Sequence, residues 1–228
     1  MKIKSFFYIA FSILISFNSL AQNKERKFKI HTLAFYNLEN LFDTINDVNK
    51  NDEASPIMEI KFNRGNIYKQ KVTNMARVIS EIGYDVTNRP PTIIGICEVE
   101  NRNVVEDLIA NEKLSKYNYG IVHYDSPDRR GIDVGLLYNK DIFKVINSNS
   151  HVLYINYNNT SDRSFTRDQL VVSGKLDGEL IHLIVNHWPS RGADETKRMA
   201  AAQVNNSIID SLRKIHNNPK IITMGDFN

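Results

Sequence analysis

The sequence predicts a mixed α/β domain in which sheets are covered by helices. Three observations carry this. Apolar runs of strand length, such as Thr92-Ile93-Ile94-Gly95-Ile96, are too uniformly apolar for a sheet wetted on both faces. Longer stretches repeat apolar residues at helical spacing, as Val72, Met75, Ala76, Ile79 and Ile82 do. Connections are of two kinds, helical and hairpin, with Asp177-Gly178 a strong hairpin-turn signal. A length of 228 residues fits one large domain better than two small ones.

The elements follow in order. Residues 28–36 alternate toward a strand, and residues 46–56, rich in Asn and Asp, read as an exposed loop. Tyr68 to Ile82 is an amphipathic helix, after which Pro90-Pro91 breaks the chain. Thr92 to Val99 is a strand and Val104 to Leu114 a helix. Strands are expected at Tyr119 to Tyr124, Asp133 to Tyr138, Ile142 to Tyr154, Leu170 to Lys175 and Leu180 to His187. Ala193 to His216 is a long helix with Met199, Ala202, Ile208, Ile209 and Leu212 on its apolar side, and Ile221 to Met224 is the last strand.

The composition, 42% hydrophobic and 24% charged, is ordinary for a globular chain. Residues 1–21 read as a secretory signal peptide: Lys2 and Lys4 start it, Phe6 to Leu20 is largely apolar, and Ser19-Leu20-Ala21 offers small residues for cleavage. The apolar stretch is broken at Phe17-Asn18-Ser19 and is short for a spanning helix, so no stable membrane anchor is expected. The mature chain is therefore expected to be exported, to a periplasmic or extracellular location. Without Lys2 and Lys4 the chain carries 27 basic and 26 acidic residues, so a bulk basic footprint is absent. Binding of a polyanion must rest on local placement of Arg and Lys. The single Cys97 cannot form an internal disulfide and reads as a small buried hydrophobe. Asn158-Asn159-Thr160 matches a glycosylation acceptor, a pattern that often arises by chance.

Polar clusters fall at four strand ends: Asn37, Glu39 and Asn40; Glu98 and Glu100; Asn186, His187 and Arg191; Asp226 and Asn228. Glu98 beside Asn37 is a hard oxygen pair suited to Mg²⁺ or Mn²⁺ rather than zinc. His187 can donate to a phosphoryl oxygen, Asp226 can orient or deprotonate a water, and Arg167 and Arg191 are forked donors suited to phosphate. Gly225 lets another group approach the backbone, and Phe227 is expected to point toward a core. Each residue alone has a structural use. Glu100 suits a strand-end salt bridge, Asp226 a helix cap, Asn37 a turn, and Arg167 a solvated strand charge. His31, His123, His151, His182 and His216 show no partner pattern and are read as structural or surface residues. Together the four clusters form a kit for metal-assisted phosphoester hydrolysis.

In order and spacing these clusters resemble the endonuclease/exonuclease/phosphatase superfamily. Phe35-Tyr36-Asn37-Leu38-Glu39-Asn40-Leu41-Phe42-Asp43 resembles its first motif, with Asn37 on the metal side, and Ile96-Cys97-Glu98-Val99-Glu100 its second, with Glu98 as metal carboxylate. The run from Arg130 to Tyr138 resembles the strand lining the cleft, Arg167 a phosphate contact, Asn186-His187-Trp188 the histidine motif, and Gly225-Asp226-Phe227-Asn228 the motif positioning nucleophile and phosphate. The resemblance spans residues 28–228 and implies a four-layer α/β sandwich of the deoxyribonuclease-I-like type. It also implies a divalent-metal-dependent phosphodiesterase using Mg²⁺ or Mn²⁺ on a phosphoester substrate, nucleic acid first. The alternatives are a phosphomonoesterase, a phospholipid head-group hydrolase, or a degenerate binding module. The family ends in a Ser-Asp-His motif that the sequence does not reach. The expectation is thus a C-terminally incomplete domain with an uncovered sheet edge and reduced stability, monomeric when complete.

Overall fold

The computed structural model describes residues 28–156 and 160–228; the signal segment and the Asn158 acceptor lie outside them. Residues 31–228 form one compact unit. Its strands of five or more residues are β1 (Leu33–Leu41), β2 (Ile93–Val99), β3 (Tyr119–His123), β4 (Asp133–Asn139), β5 (Phe143–His151), β6 (Gln169–Leu176), β7 (Glu179–His187) and β8 (Lys220–Asp226), and two-residue strands Ile155–Asn156 and Arg163–Ser164 pair with each other. Its long helices are α1 (Arg64–Glu81), α2 (Arg102–Ala110) and α3 (Glu195–Ile215). None of the described helices is long and apolar enough to cross a membrane.

Two four-stranded sheets result, in the orders β1-β2-β4-β3 and β8-β7-β6-β5. Strand β1 runs parallel to β2, β8 runs parallel to β7, and the remaining pairs are antiparallel. Strand β2 is apolar from Ile93 to Cys97 because both its faces are covered there. Ile94 and Ile96 pack with Val72, Ala76 and Ile79 of α1 and Val104, Val105 and Leu108 of α2. On its other face, Ile93 and Cys97 meet Val172, Leu183, Val185 and Met224 of the second sheet. The far face of that sheet, through Val171 and Ile184, receives Ile208 of α3, with Val204, Ile209 and Leu212 beside it. Each fully buried aliphatic side chain in these contacts contributes roughly 1.5–3 kcal/mol of transfer free energy.

The hairpin between β6 and β7 turns at Asp177 and Gly178, whose φ angles of +49° and +87° are the left-handed pair this turn requires. His31 Nε2 meets Asp177 Oδ2 at 2.6 Å, which ties the approach to β1 onto this hairpin.

Some expectations shift. The first strand starts at Leu33 and ends at Leu41, because the ladder with β2 includes Asn37 and resumes at Leu41 beyond a bulge of polar residues that periodicity reads as loop. The 46–56 loop is not uniformly exposed: Asp52 is buried and accepts from Asp47 N at 2.9 Å. Met199 of α3 is 56% exposed, and the buried stripe runs through Ala201, Asn205 and Ile208 instead. His123 has a partner, Asp133, at 3.2 Å between neighbouring strands.

Candidate active site

The parallel pairs β1–β2 and β7–β8 bring their carboxyl ends together, where open sheets build sites. Both strands of the first pair leave regular geometry there. The ladder slips between Asn37 and Leu41 and again between Cys97 and Val99. Glu39, Asn40 and Glu98 take positive φ angles of 49°, 58° and 59°. A bulge re-aims a side chain, and here it fixes the Glu98 carboxylate at the strand end. Its Oε1 accepts from Asn37 Nδ2 at 3.0 Å and its Oε2 from Asn40 N at 2.9 Å. Lys71 of α1 braces the bulge from below, donating to the carbonyls of Glu39 and, at 3.0 Å, of Asn40.

The second pair supplies Asp226 and His187, which are register partners. Asp226 Oδ2 accepts from the same Asn37 Nδ2 at 3.2 Å, and its Oδ1 accepts from Asn228 N at 3.1 Å. The strands close to this separation because position 225 has no side chain: a Cβ on Gly225 would sit 2.3 Å from Asn186 O. Asn186 is wholly buried and staples β7 to β8, donating to Thr223 Oγ1 at 3.0 Å and Met224 O at 3.2 Å.

His187 Nε2 lies 3.8 Å from Glu98 Oε1, and its Nδ1 is buried without a hydrogen-bond partner among the described residues. Burial pushes the His187 pKa down to about 3, and the neighbouring Arg167 cation adds to this. The imidazole is therefore neutral at physiological pH, with one nitrogen able to donate and one to accept.

The Trp188 carbonyl is a junction. It accepts from Asn228 Nδ2 at 3.0 Å and from Arg167 Nη2 at 2.5 Å, while Trp188 N donates to Asp226 O at 2.9 Å. Arg167 is buried and its Nη1 reaches Asp128 Oδ2 at 3.3 Å.

Six of the seven predicted residues are thus linked in one network: Asn37, Glu98, Arg167, His187, Asp226 and Asn228. Arg191 is not. It is exposed on the loop after β7, and no hydrogen bond among the described residues ties it to the cluster. Phe227 is 39% exposed and packs edge-on against Trp188 at 4.8 Å instead of entering a core. Glu100 forms no salt bridge among the described residues: it accepts from Asp43 N at 2.7 Å, and burial pushes its carboxyl up to about 7. Asp128 and Lys71 were not legible in the sequence, since an acid in a loop and a lysine on an amphipathic helix carry no local signal.

The donor set suits a hard dication. Oxygens of Glu98 and Asp226 and a ring nitrogen of His187 all lie within 4.8 Å of one another. The Asn37 amide now donates to both carboxylates while its Oδ1 accepts from Glu39 N at 2.8 Å. An oxygen contribution from Asn37 to a cation requires the amide to turn over, an assignment that rests on the hydrogen-bond network.

The sequence profile of the Endonuclease/Exonuclease/phosphatase family matches residues 32–228, and the chain belongs to that family. No curated protein matches it. Among solved structures, humanized D. rerio TDP2 carrying 14 mutations aligns with a TM-score of 0.50 at 14% identity, over 85% of this chain and 60% of that one. TDP2 from Caenorhabditis elegans aligns with a TM-score of 0.50 at 21% identity, over 70% and 44%. ANGEL2, described as a 2′,3′-cyclic phosphatase, gives 0.55 at 14%, over 87% and 52%. At these identities the likeness is one of fold, and the fold is the mixed α/β, deoxyribonuclease-I-like one. The chain spans about half the length of these structures.

Proposed function

We propose that the protein is an exported, divalent-metal-dependent phosphodiesterase acting on nucleic acid. The observation that carries this is the convergence of Glu98, Asp226 and His187 from three strand ends, with Asn37 donating to both carboxylates. ANGEL2, a phosphatase on this fold, is consistent with phosphoester chemistry.

In this reading Glu98 and Asn37 hold the cation, Mg²⁺ or Mn²⁺. When bound, the cation supplies Lewis-acid polarisation of a phosphoryl oxygen. Asp226 orients the attacking water and takes its proton. Asn228, tied to the Trp188 carbonyl, positions the phosphate next to Arg167. His187 donates from a neutral imidazole to the charge developing on the phosphoryl group. Burial suits that task, because a hydrogen bond in a low-dielectric site is worth more than one in water.

The test uses Glu98→Gln and His187→Ala with an oligonucleotide substrate and added Mg²⁺. Each is expected to lower kcat by about 100-fold or more. Mg²⁺ should also raise Tm in wild type by mass action and lose that effect in Glu98→Gln. Near-normal turnover in either variant would sink the assignment. Export is tested separately, by sequencing the N-terminus of the protein recovered outside the cytoplasm, where cleavage after Ala21 is expected.

A further inference from the structure

A cleft of about 220 Å³ adjoins the catalytic network through Arg167. Four cations line it, Arg129, Arg130, Arg167 and Lys197, against one carboxylate, Asp128. That carboxylate is already shared, with Oδ1 3.5 Å from Arg130 and Oδ2 3.3 Å from Arg167. The lining therefore keeps a net positive charge of three, in a chain whose mature charge is close to zero.

A second observation points to a ligand there. Arg167 and Thr166 are both more than nine-tenths buried and both line the cleft, yet Arg167 Nε and Thr166 Oγ1 have no hydrogen-bond partner among the described residues. Buried donors are rarely left so, and each costs free energy until something accepts from it. The rim is also held in place. Phe165, in the lining, has the Arg129 guanidinium 5.7 Å and the Arg163 guanidinium 5.0 Å from its ring centre, and Arg163 lies 5.1 Å from the Tyr154 ring. Aromatic stacking of this kind fixes arginines that would otherwise sample solvent, and so lowers the entropy lost on binding.

We propose that this cleft is a second phosphate subsite, which takes the phosphate adjacent to the scissile one on the same nucleic-acid strand. This rests on the phosphodiesterase reading above and narrows it. The Trp188 carbonyl accepts from Asn228, the residue assigned to the scissile phosphate, and from Arg167, so Arg167 stands between that phosphate and the cleft it lines. A substrate that fills both carries two phosphates. A small diester with a single phosphate leaves the cleft empty, and a phospholipid with a cationic head group is repelled by it.

The experiment is calorimetric titration of the metal-free protein with thymidine 3′,5′-bisphosphate and with thymidine 3′-monophosphate. Wild type should bind the bisphosphate about tenfold more tightly or better, the usual scale for one added charge-assisted contact. The Arg129→Ala/Lys197→Ala variant changes side chains at the solvent edge of the cleft and should retain the wild-type circular dichroism. In it, the preference should fall to about threefold or less. Equal affinity of wild type for the two nucleotides, or an undiminished preference in the variant, overturns the subsite. Hydrolysis of TpT and pTpT with Mg²⁺ is followed in parallel. Failure to cleave either removes the phosphodiesterase reading, while the titration still decides the subsite.

Discussion

Gly225 shows how much of the site depends on one missing methyl group. Its φ of +156° and the 2.3 Å approach of Asn186 O to a would-be Cβ leave no room for a side chain between β7 and β8. Gly225→Ala should therefore cost about 1–3 kcal/mol, as overpacking does, and should lower turnover by displacing Asp226. Urea unfolding and kcat measured on one preparation check this; a stability within 0.5 kcal/mol of wild type, a margin typical of bland substitutions, would contradict it. Glu98 makes the complementary point. A glutamate at φ +59° is held against its own preference, and the two hydrogen bonds to its carboxylate hold it there. Cys97 next to it is a packed hydrophobe whose thiol burial pushes far above its ordinary range, so it is chemically inert.

At the scale of elements, the site depends on how β2 ends. Three residues after Glu98, Asn101 caps α2, its side chain accepting from Val104 N at 3.1 Å. The same side chain reaches Asp43 Oδ2 at 3.4 Å, on the chain following β1. Asn101→Ala should cost about 1 kcal/mol of stability, and Asn101→Ser should restore most of it, because a serine hydroxyl can accept the same amide proton. Equal stability of the Ala and Ser variants in thermal unfolding would show that capping is not what this residue supplies. The amphipathic helices and apolar strands were legible because periodicity reports which face is buried. Their ends were less so. At the end of β1 the ladder holds at Asn37, opposite Cys97, and resumes at Leu41, opposite Val99, so where β1 stops is set by β2.

For the whole molecule, the second sheet packs on the first through Met224, whose sulfur would lie 2.6 Å from a Cβ on Gly95. That contact brings Asp226 within reach of Asn37, 189 residues earlier in the chain. The buried histidines set the acid limit of this assembly. His182 is 1% exposed, with Nδ1 2.7 Å from Ser173 Oγ, and burial lowers its pKa, with the nearby His216 adding to the effect. A histidine whose folded pKa is depressed binds its proton more readily when unfolded. Stability is thus full above the ordinary value of about 6.5 and falls as pH drops below it, by at most about 1.4 kcal/mol per pH unit for each such group. Burial shifts His151 and His187 in the same direction. Glu100 acts oppositely, because burial raises its carboxyl to about 7 and its protonation stabilises the fold as pH drops through this window. The histidine contribution is therefore read as a difference: the denaturation midpoint of wild type relative to that of His182→Asn should fall from pH 7.5 to pH 5.5. A difference that rises over this interval would contradict the sign.

The sequence by itself determined the class of fold and the family, and it picked out the polar clusters that the strand ends carry. Strand and helix periods, the Asp177-Gly178 turn and the Gly-Asp-Phe-Asn motif at 225–228 are local patterns, and local patterns survive in one dimension. Only the tertiary structure decided which of those residues meet. It joined Arg167 to Asn228 through a backbone carbonyl, which no side-chain pattern can announce, and left Arg191 exposed on its loop. It turned Glu100 from a surface ion-pair partner into a buried acceptor, and it gathered Arg129, Arg130, Arg167 and Lys197 around one cleft from three separate stretches of chain. The physical reason is common to all of these. Charge, burial and hydrogen-bond partners depend on what the other sheet, loop or helix places opposite a residue, and that is set by packing rather than by sequence neighbours.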